Sequence, residues 1–302
     1  MLEAGKHSKS IILTAVVLAC CVSLLILNSV WHPSELLGTI VAVEPTHLTI
    51  PKKLWYKLGS NGLNDDTRAW TDNCIRNNMG YGVEFMTESS ADAYVLNTFG
   101  ASHPELVEIY LGLTDILRYL LLFAEGGIYF DLDVSCEIPI SEWVPFQYED
   151  NADVVVGWEF DVDWGDNIIR EFATWAIMAK PGSPHMWMVV EDIIQSFQDK
   201  MREKNVPAEG LTLEMGGDVV DATGPRRFTR SILRSMGEAF NTTVQDIQNL
   251  LEPKLVGDVL VLPGYAFAAS TNTYDESVEV PPPLVKHHYA GTWKNEKGGE
   301  IP

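Results

Sequence analysis

Basic residues are scarce in this sequence. It has 21 Lys and Arg against 42 Asp and Glu, and its formal net charge is −21. Nucleic-acid binding needs clustered Lys and Arg against the phosphates, so this composition argues against a nucleic-acid partner. It does not exclude a single nucleotide ligand, because one cation and a few fixed hydrogen-bond donors can neutralise a diphosphate locally.

Cysteine is also scarce, with four residues in 302. Cys20 and Cys21 lie in an apolar N-terminal run, which leaves Cys74 and Cys136 for the rest of the chain. That part can hold one disulfide at most, and two buried thiols are an equal alternative. The sequence has no internal repeat, and its hydrophobic share of 46% is ample for the core of one large domain.

Charged residues are absent between Ile11 and Leu27, and the apolar character continues weakly to Trp31. At about 1.5 Å per residue this run nearly spans a hydrocarbon core of about 30 Å. Lys6 and Lys9 precede the run, whereas its far flank is acidic. The pattern favours an uncleaved signal anchor over a cleaved signal peptide, because the run is long and lacks a small-x-small cleavage site.

This topology divides the chain into four predicted parts. We expect a cytoplasmic tail over residues 1–10, a transmembrane signal anchor over 11–31, a stem over 32–47 and a lumenal domain over 48–302. Asn241 opens an Asn-Thr-Thr triplet, which is a glycosylation acceptor and fits a lumenal position.

Two carboxylates stand out in the lumenal part. Side chains in a strand alternate between faces, so a strand that ends in Asp131-Leu132-Asp133 presents both Asp side chains on one face. Such a pair suits a hard divalent cation that also contacts phosphate oxygens. The same spacing recurs at Asp161-Val162-Asp163, so the spacing alone has little specificity.

The segment before Asp131 strengthens the case for a ligand site at this Asp pair. A helix from about Pro104 to Ala124 is apolar on nearly every side, and it carries Asp115 and Arg118 three residues apart. These two could form a structural ion pair, but an isolated buried pair seldom recovers its desolvation cost. We therefore favour a ligand site. Gly126-Gly127 ends the helix and allows the backbone to approach a ligand closely.

Strands and helices alternate along the predicted domain. This pattern indicates an α/β fold with a mainly parallel sheet covered by helices on both sides. Ligands bind at the carboxyl ends of strands in such sheets, where the first Asp pair falls. We predict strands near Thr49–Tyr56, Val83–Met86, Asp153–Trp158, Thr174–Ala179, Asp258–Leu262 and Leu284–Tyr289, and further helices near Asp65–Asn78, Ser90–Phe99, Pro184–Lys204 and Pro225–Gly237.

Residues 114–133 resemble the signature of the family 32 glycosyltransferases, which contain a DXD sugar-binding region. The shared features are a Thr-Asp, an Arg-Tyr three residues on, Gly-Gly-Ile-Tyr and the Asp pair. Later segments are similar, in the same order, to fungal initiation-specific α-1,6-mannosyltransferases. They are Ile50–Lys53, Val155–Glu159, Thr174–Gly182, Thr223–Pro225, Asp258–Pro263 and His287–Trp293.

The resemblance implies a GT-A-like fold and a set of site residues. Asp131 and Asp133 are the implied catalytic residues and bind Mn²⁺ or Mg²⁺, with His288 favoured over His287 as a third ligand. An imidazole ligand would tilt the choice toward Mn²⁺. The implied donor-binding residues are Asp115, Arg118, Gly127, Tyr129, Gly291, Thr292 and Trp293, and the acceptor-site candidates are Glu159 and Asp161.

The resemblance also implies an activity and a location. The expected reaction moves mannose from GDP-mannose to a glycan acceptor with retention, by α-1,6 transfer in N-glycan outer-chain synthesis. A glycolipid acceptor, inositol phosphoceramide, is the alternative. The expected location is the Golgi membrane as a single-pass type II protein, in a complex with other Golgi transferases.

Two readings from other classes remain open. Asp131-Leu132-Asp133 after a hydrophobic strand is also typical of haloacid-dehalogenase-like phosphatases, in which the first Asp is a nucleophile and the second a general acid/base. The later acidic motif of such enzymes is approached by Gly217-Asp218-Val219-Val220-Asp221, which is one residue short of the common form. An inactive relative that supports a transferase complex is the other alternative.

Overall fold

Strands and helices alternate in the first half of the structure, which is a computed structural model describing residues 49–164, 169–210 and 217–290. The elements in chain order are β1 (Lys53–Lys57), α1 (Asp65–Asn77), β2 (Gly82–Met86), α2 (Glu88–Phe99), α3 (Pro104–Gly112), α4 (Leu117–Glu125), β3 (Gly127–Phe130) and β4 (Val134–Cys136).

The second half continues the central sheet and adds the longest helix. Its elements are β5 (Val154–Phe160), β6 (Glu171–Phe172), β7 (Ala176–Ala179), α5 (Pro184–Lys204), α6 (Val219–Ala222), α7 (Pro225–Phe240), β8 (Lys254–Val256), β9 (Val259–Leu262), α8 (Gly264–Ala268) and β10 (Val285–His287).

Side-chain caps fix where the first two helices begin. Asn64 accepts the Thr67 N–H at 2.8 Å, and the Thr67 hydroxyl accepts the Asn64 N–H at 2.9 Å, so α1 starts at Asp65 as predicted. The corresponding cap of α2 is Thr87, whose hydroxyl accepts the Ser90 N–H, and this helix starts earlier than the predicted Ser90.

The predicted single helix from Pro104 to Ala124 is wrong. Leu113, with φ −142° and ψ 67°, separates α3 from a 3₁₀ turn at Thr114–Ile116, and α4 follows. Gly112 ends α3, consistent with the low helix propensity of glycine. The break places Asp115 in this 3₁₀ turn rather than in an α-helix.

The central sheet is mixed, whereas the sequence predicted a mainly parallel one. Its order is β2-β1-β3-β7-β5-β9-β8, with β6 paired to β5. β1 pairs in parallel with β2 and β3, and β5 with β9. The pairs β3–β7, β5–β7, β5–β6 and β8–β9 are antiparallel. A tight turn at Gly257, with φ +59°, joins β8 to β9, and such short connections give antiparallel neighbours.

Both faces of the sheet are buried. Alternate residues of β1 and β3 enter different clusters: Trp55 and Tyr129 pack with the helical layer of α2, α3, α4, α5 and α7. Tyr56 and Phe130 pack on the other side with α8 and β4. Every residue of β3 and β7 is buried, which explains their continuous apolar sequences.

A small antiparallel pair, β4 with β10, lies beside the central sheet and is fastened to α1. Cys74 of α1 and Cys136 of β4 form a disulfide, so of the two alternatives for these cysteines the structure has the bonded one. Asn73 accepts the Cys136 N–H and Asn77 donates to the Cys136 carbonyl, each at 2.8 Å. These contacts fix the strand that directly follows Asp133.

In the part of the chain that the structure describes, no helix is long and apolar enough to cross a membrane. The predicted tail, anchor and stem, residues 1–10, 11–31 and 32–47, lie outside the described residues. They remain predictions.

Candidate active site

The candidate site lies at the carboxyl ends of β1 and β3. Tyr56 and Phe130 are register partners, so the next residues, Lys57 in β1 and Asp131 after β3, lie side by side. Asp131 is the first residue after β3, and Asp133 directly precedes β4. The Asp pair therefore lies in a turn between two strands and not at the end of one strand, as the alternation argument had assumed.

Arg118 is the cation beside Asp131. Its Nη1 lies 3.3 Å from Asp131 Oδ1 and donates to the Thr174 carbonyl at 2.8 Å, and the guanidinium stacks 4.8 Å from the ring centre of Tyr129. Burial raises the pKa of Asp131, the charge of Arg118 opposes this rise, and the charge of Asp133 adds to it.

Asp133 is buried and held by the C-terminal strand. Its Oδ1 lies 3.3 Å from His287 Nε2, and its Oδ2 accepts the Ala290 N–H at 3.0 Å. Burial alone would raise the pKa of Asp133, but the His287 ring and the Ala290 N–H outweigh it, and the pKa lies below its ordinary value. Asp133 is therefore ionised at neutral pH.

The ring of His287, and not that of the favoured His288, faces the Asp133 carboxylate, whereas His288 donates its backbone N–H to the Asp133 carbonyl. The His287 ring stacks on Trp175 with 4.2 Å between ring centres. The His288 ring stacks on Trp70 at 4.1 Å, and its Nε2 lies 2.9 Å from the Ser135 hydroxyl. The adjacent His pair was the available signal, but strand alternation alone does not say which ring faces the acids.

Asp115 forms an ion pair with Lys57, and its negative charge also acts on Arg118. Lys57 Nζ lies 3.2 Å from Asp115 Oδ1 and donates to Thr114 Oγ1 at 2.8 Å. The sequence reasoning missed Lys57. Its position at the end of the first strand was the signal that could have identified it, because the ends of strands in such sheets face ligands.

Gly127 lies at the amino end of β3, away from the Asp pair, so its predicted donor-binding role is not supported. Its φ is +103°, and a Cβ there would come within 2.6 Å of the Lys53 carbonyl oxygen. Close packing of β3 on β1 explains this glycine. Tyr129 is buried beneath Arg118 and Asp131, where it supports the site.

The two acceptor-site candidates differ in what surrounds them. Asp161 is buried and accepts the Asn249 N–H at 2.8 Å and the Arg170 Nε–H at 3.2 Å, which gives it a structural role. Glu159 is also buried, and its Oε2 has no hydrogen-bond partner among the described residues. Burial and the nearby charge of Glu171 raise the pKa of Glu159 to about 8.

Comparison with known proteins bears on this geometry. The family described as "Glycosyltransferase sugar-binding region containing DXD motif" matches residues 64–149. An initiation-specific α-1,6-mannosyltransferase of Schizosaccharomyces pombe is 31% identical over 83% of this chain and 66% of its own length. The chain belongs to this glycosyltransferase family. The resemblance drawn from its motifs is confirmed.

Two further α-1,6-mannosyltransferases of the initiation-specific type match this glycosyltransferase. The Candida albicans protein is 30% identical over 60% of this chain and 54% of its own length. The Saccharomyces cerevisiae protein is 21% identical over 82% of this chain and 78% of its own length. The chain spans about two thirds of the length of the first relative. The solved PaToxG glycosyltransferase overlaps 62% of this chain and 70% of its own with a TM-score of 0.45 at 15% identity, too slight a likeness to argue from.

The residues of this glycosyltransferase fit a divalent cation. In the described ranges, no group of three or more His, Cys, Asp or Glu side chains forms a closed metal site. An ion shared with substrate phosphates needs only one or two carboxylates. Asp131 and Asp133 are the two carboxylates that could supply such a site, and the His287 imidazole lies beside Asp133.

The phosphatase alternative loses its second acidic motif. Asp218 caps α6 by accepting the Val220 N–H, and Asp221 lies 2.8 Å from Arg226 Nη1 and 2.9 Å from Arg230 Nη1. Asp218 and Asp221 therefore contact arginines, which argues against their serving as the metal-binding motif of a phosphatase.

Three donor-binding candidates, Gly291, Thr292 and Trp293, lie outside the described residues. Asn241 is exposed at the end of α7, and its glycosylation remains a prediction.

Proposed function

We propose that this glycosyltransferase moves mannose from GDP-mannose to a glycan acceptor and forms an α-1,6 linkage with retention at the anomeric carbon. The observation that carries the proposal is the grouping of Asp131 and Asp133 with Arg118 and His287 at one edge of the sheet. The relatives are α-1,6-mannosyltransferases, which suggests the sugar and the linkage.

Asp131, Asp133 and His287 are the residues that would hold Mn²⁺ or Mg²⁺. When bound, such an ion stabilises negative charge on the departing diphosphate as a Lewis acid. Arg118 keeps Asp131 in place and adds a fixed positive charge beside it. This charge is already oriented before the reaction, so little reorganisation is needed as the leaving group develops charge.

Lys57 and Asp115 provide the donor-sugar contacts in this proposal. Lys57 is the last residue of β1, the strand that pairs with β3, and Asp115 lies in the 3₁₀ turn before α4. Their mutual contact of 3.2 Å orients an ammonium donor and a carboxylate acceptor. Hydroxyl groups of a hexose can pair with both types of group. We infer substitution on one face: the bond from the anomeric carbon to the diphosphate breaks, the bond to the acceptor oxygen forms, and the departing phosphate takes the acceptor proton.

The location of the protein is part of the same proposal. The uncharged run at residues 11–31 supports a type II anchor, and Asn241 supports a lumenal domain. A Golgi membrane with other Golgi transferases as partners would place the active site together with glycan acceptors.

The test is a donor screen on the detergent-solubilised full-length chain, read as thermal stabilisation and as sugar transfer. We expect GDP and GDP-mannose to raise the melting temperature only with Mn²⁺ or Mg²⁺, and transfer of mannose to a high-mannose oligosaccharide. Chelation of the metal should remove both effects. Stabilisation by UDP sugars alone, or phosphate release from aryl phosphates without sugar transfer, would contradict the proposal.

A further inference from the structure

Trp175 differs from the other buried tryptophans in what its ring contacts. Trp143, Trp158 and Trp175 are all buried, and each donates its indole Nε1–H to a backbone carbonyl, as buried tryptophans usually do. The Trp158 ring stacks on Phe172 with 4.0 Å between ring centres, which is ordinary core packing. The Trp175 ring stacks instead on His287, a residue of the candidate site.

The main chain at Trp175 holds the first carboxylate of the Asp pair. The last residue of β3 is the register partner of the first residue of β7, so Trp175, directly before β7, lies level with Asp131. The Asp131 N–H donates to the Trp175 carbonyl at 3.0 Å. Arg118, which contacts the Asp131 carboxylate, donates to the carbonyl of the preceding Thr174 at 2.8 Å. These contacts use backbone atoms, so they do not depend on the indole.

The side chain of Trp175 reaches the second carboxylate through His287. The planes of the indole and the imidazole are inclined by 15°, and their centres lie 4.2 Å apart. His287 Nε2 lies 3.3 Å from Asp133 Oδ1. Tyr289 completes a group of three rings in mutual contact, with its centre 4.1 Å from that of His287 and 5.8 Å from that of Trp175. The stacked indole therefore sets the plane of the imidazole and the direction in which Nε2 points.

The indole is itself fixed in place. Its Nε1–H donates to the Phe267 carbonyl at 3.2 Å, and the side chain packs in the cluster that contains α8 and Val285 of β10. Only 4% of Trp175 is exposed. Side chains that orient a metal-binding group are effective when their own positions are locked by packing and hydrogen bonds. Trp175 meets this condition.

The neighbouring histidine provides a comparison within the same segment. His288 also stacks on a tryptophan, Trp70, with 4.1 Å between ring centres and 8° between planes. Its Nε2, however, lies 2.9 Å from the Ser135 hydroxyl and not beside a carboxylate of the Asp pair. Stacking on tryptophan is therefore common to both histidines, and only the stack on Trp175 leads to Asp133.

We propose that Trp175 is a positioning residue of the cation site. Its carbonyl fixes Asp131, and its indole fixes the His287 imidazole and, through it, the Asp133 carboxylate. One residue thereby sets the positions of both carboxylates relative to each other. The inference rests on the proposed transferase function, which it deepens by naming the residue that organises the site.

The test measures Mn²⁺ affinity by calorimetric titration of the full-length chain with saturating GDP. Trp175→Leu should weaken Mn²⁺ binding roughly tenfold or more, because the imidazole loses the surface that orients it. Trp175→Phe keeps an aromatic face and should stay within about threefold of wild type. Trp175→Met fills more of the space with a flexible side chain but has no flat face, so it should show the same loss even if Trp175→Leu folds poorly.

A double variant tests the route through His287. Every substitution at Trp175 keeps its backbone carbonyl, so the indole should act on the cation through His287 alone. In a protein that already carries His287→Ala, Trp175→Leu should therefore change Mn²⁺ affinity by less than about twofold. A loss as large as in the wild-type background would overturn this route.

Two matched controls separate positioning from packing. Trp158→Leu removes an equally buried stacked indole and should lower the melting temperature, yet leave Mn²⁺ affinity within about twofold. Trp70→Leu removes the stack on His288 and should change Mn²⁺ affinity by less than about threefold. Unchanged affinity in both Trp175→Leu and Trp175→Met would overturn the inference alone, and so would an equal loss in Trp158→Leu. A wild-type chain that binds no Mn²⁺ in the presence of GDP would overturn the cation site itself and the proposed function with it.

Discussion

Two Asp-x-Asp sequences in this chain have the same spacing and opposite environments. In the first, Asp131 and Asp133 flank a turn at the sheet edge, next to Arg118 and His287. In the second, Asp161 is fully committed to Asn249 and Arg170, and Asp163 has a left-handed φ of 67°. The comparison shows that the neighbouring elements, and not the spacing, decide whether a carboxylate is available to a ligand.

Protonation separates the two regions as well. The pKa of Asp133 lies below its ordinary value because of His287 and the Ala290 N–H, which outweigh its burial. Glu159, two residues before the second copy, has a pKa raised to about 8 by burial and by Glu171. One region therefore holds an ionised carboxylate that suits a cation, and the other holds a buried acid that stays protonated at neutral pH.

The largest expected difference between the two copies is in activity. Asp133→Asn should lower the rate of mannose transfer roughly a thousandfold, because it removes a charged ligand of the proposed cation. The matched change Asp163→Asn should leave the rate within about twofold, since Asn also tolerates a left-handed backbone. Initial rates at saturating Mn²⁺ measure both, and equal losses would show that the two copies share one function.

The second copy should matter for stability instead. Asp161→Ala should lower the free energy of unfolding by about 2–3 kcal/mol, because it leaves the Asn249 N–H and the largely buried Arg170 guanidinium without their partner. Urea unfolding of this variant and of Asp163→Asn provides the measurement. If Asp161→Ala unfolds at the wild-type urea concentration, the structural role assigned to Asp161 is wrong.

The adjacent histidines offer a sharper test within the first region. His287→Ala should weaken the apparent affinity for Mn²⁺ by about 10-fold to 100-fold, whereas His288→Ala should change it by less than about threefold. The reason is that His287 lies 3.3 Å from Asp133, while His288 pairs with Ser135. Metal titrations followed by GDP-dependent stabilisation measure this, and the reverse order would restore the His288 assignment made from the sequence.

The smallest effect is expected from pH. The folded pKa of Glu159, about 8, lies above its ordinary value of 4.5, so its contribution to stability is present below pH 4.5 and is lost as the pH rises toward 8. Between about pH 6 and pH 7 the free energy of unfolding should therefore fall by about 1 kcal/mol. Glu159→Gln should remove this fall. Unfolding at both pH values in wild type and variant gives the difference. Identical pH dependence in the two proteins would mean that Glu159 titrates normally.

Local sequence signals predicted most of the elements but few of their neighbours. The continuous apolar runs predicted β5, β7 and β9, and α5 has the predicted bounds of Pro184–Lys204. The split before Asp115 was missed because an all-round apolar pattern does not reveal a break of one turn. Strand directions were missed for a similar reason, since periodicity carries no information about which strands become neighbours.

The site residues that the sequence identified are also those that lie close together in the chain. Asp131, Asp133 and Arg118 come from one continuous segment, and the sequence identified them together. His287 and Trp175 reach the site from distant segments through strand pairing and ring stacking, so no local pattern announces their roles. The family resemblance supplied the histidine pair, and only the tertiary structure distinguished its members.

The bond between Cys74 and Cys136 has a practical consequence for work on this enzyme. It anchors β4, which starts at the residue after Asp133 and pairs with β10, the strand that contains His287. Bacterial cytosol keeps thiols reduced, so protein produced there would lack the disulfide that joins β4 to α1. Preparations intended for metal or sugar assays should come from a secretory host, and added reductants should be kept out of the buffers.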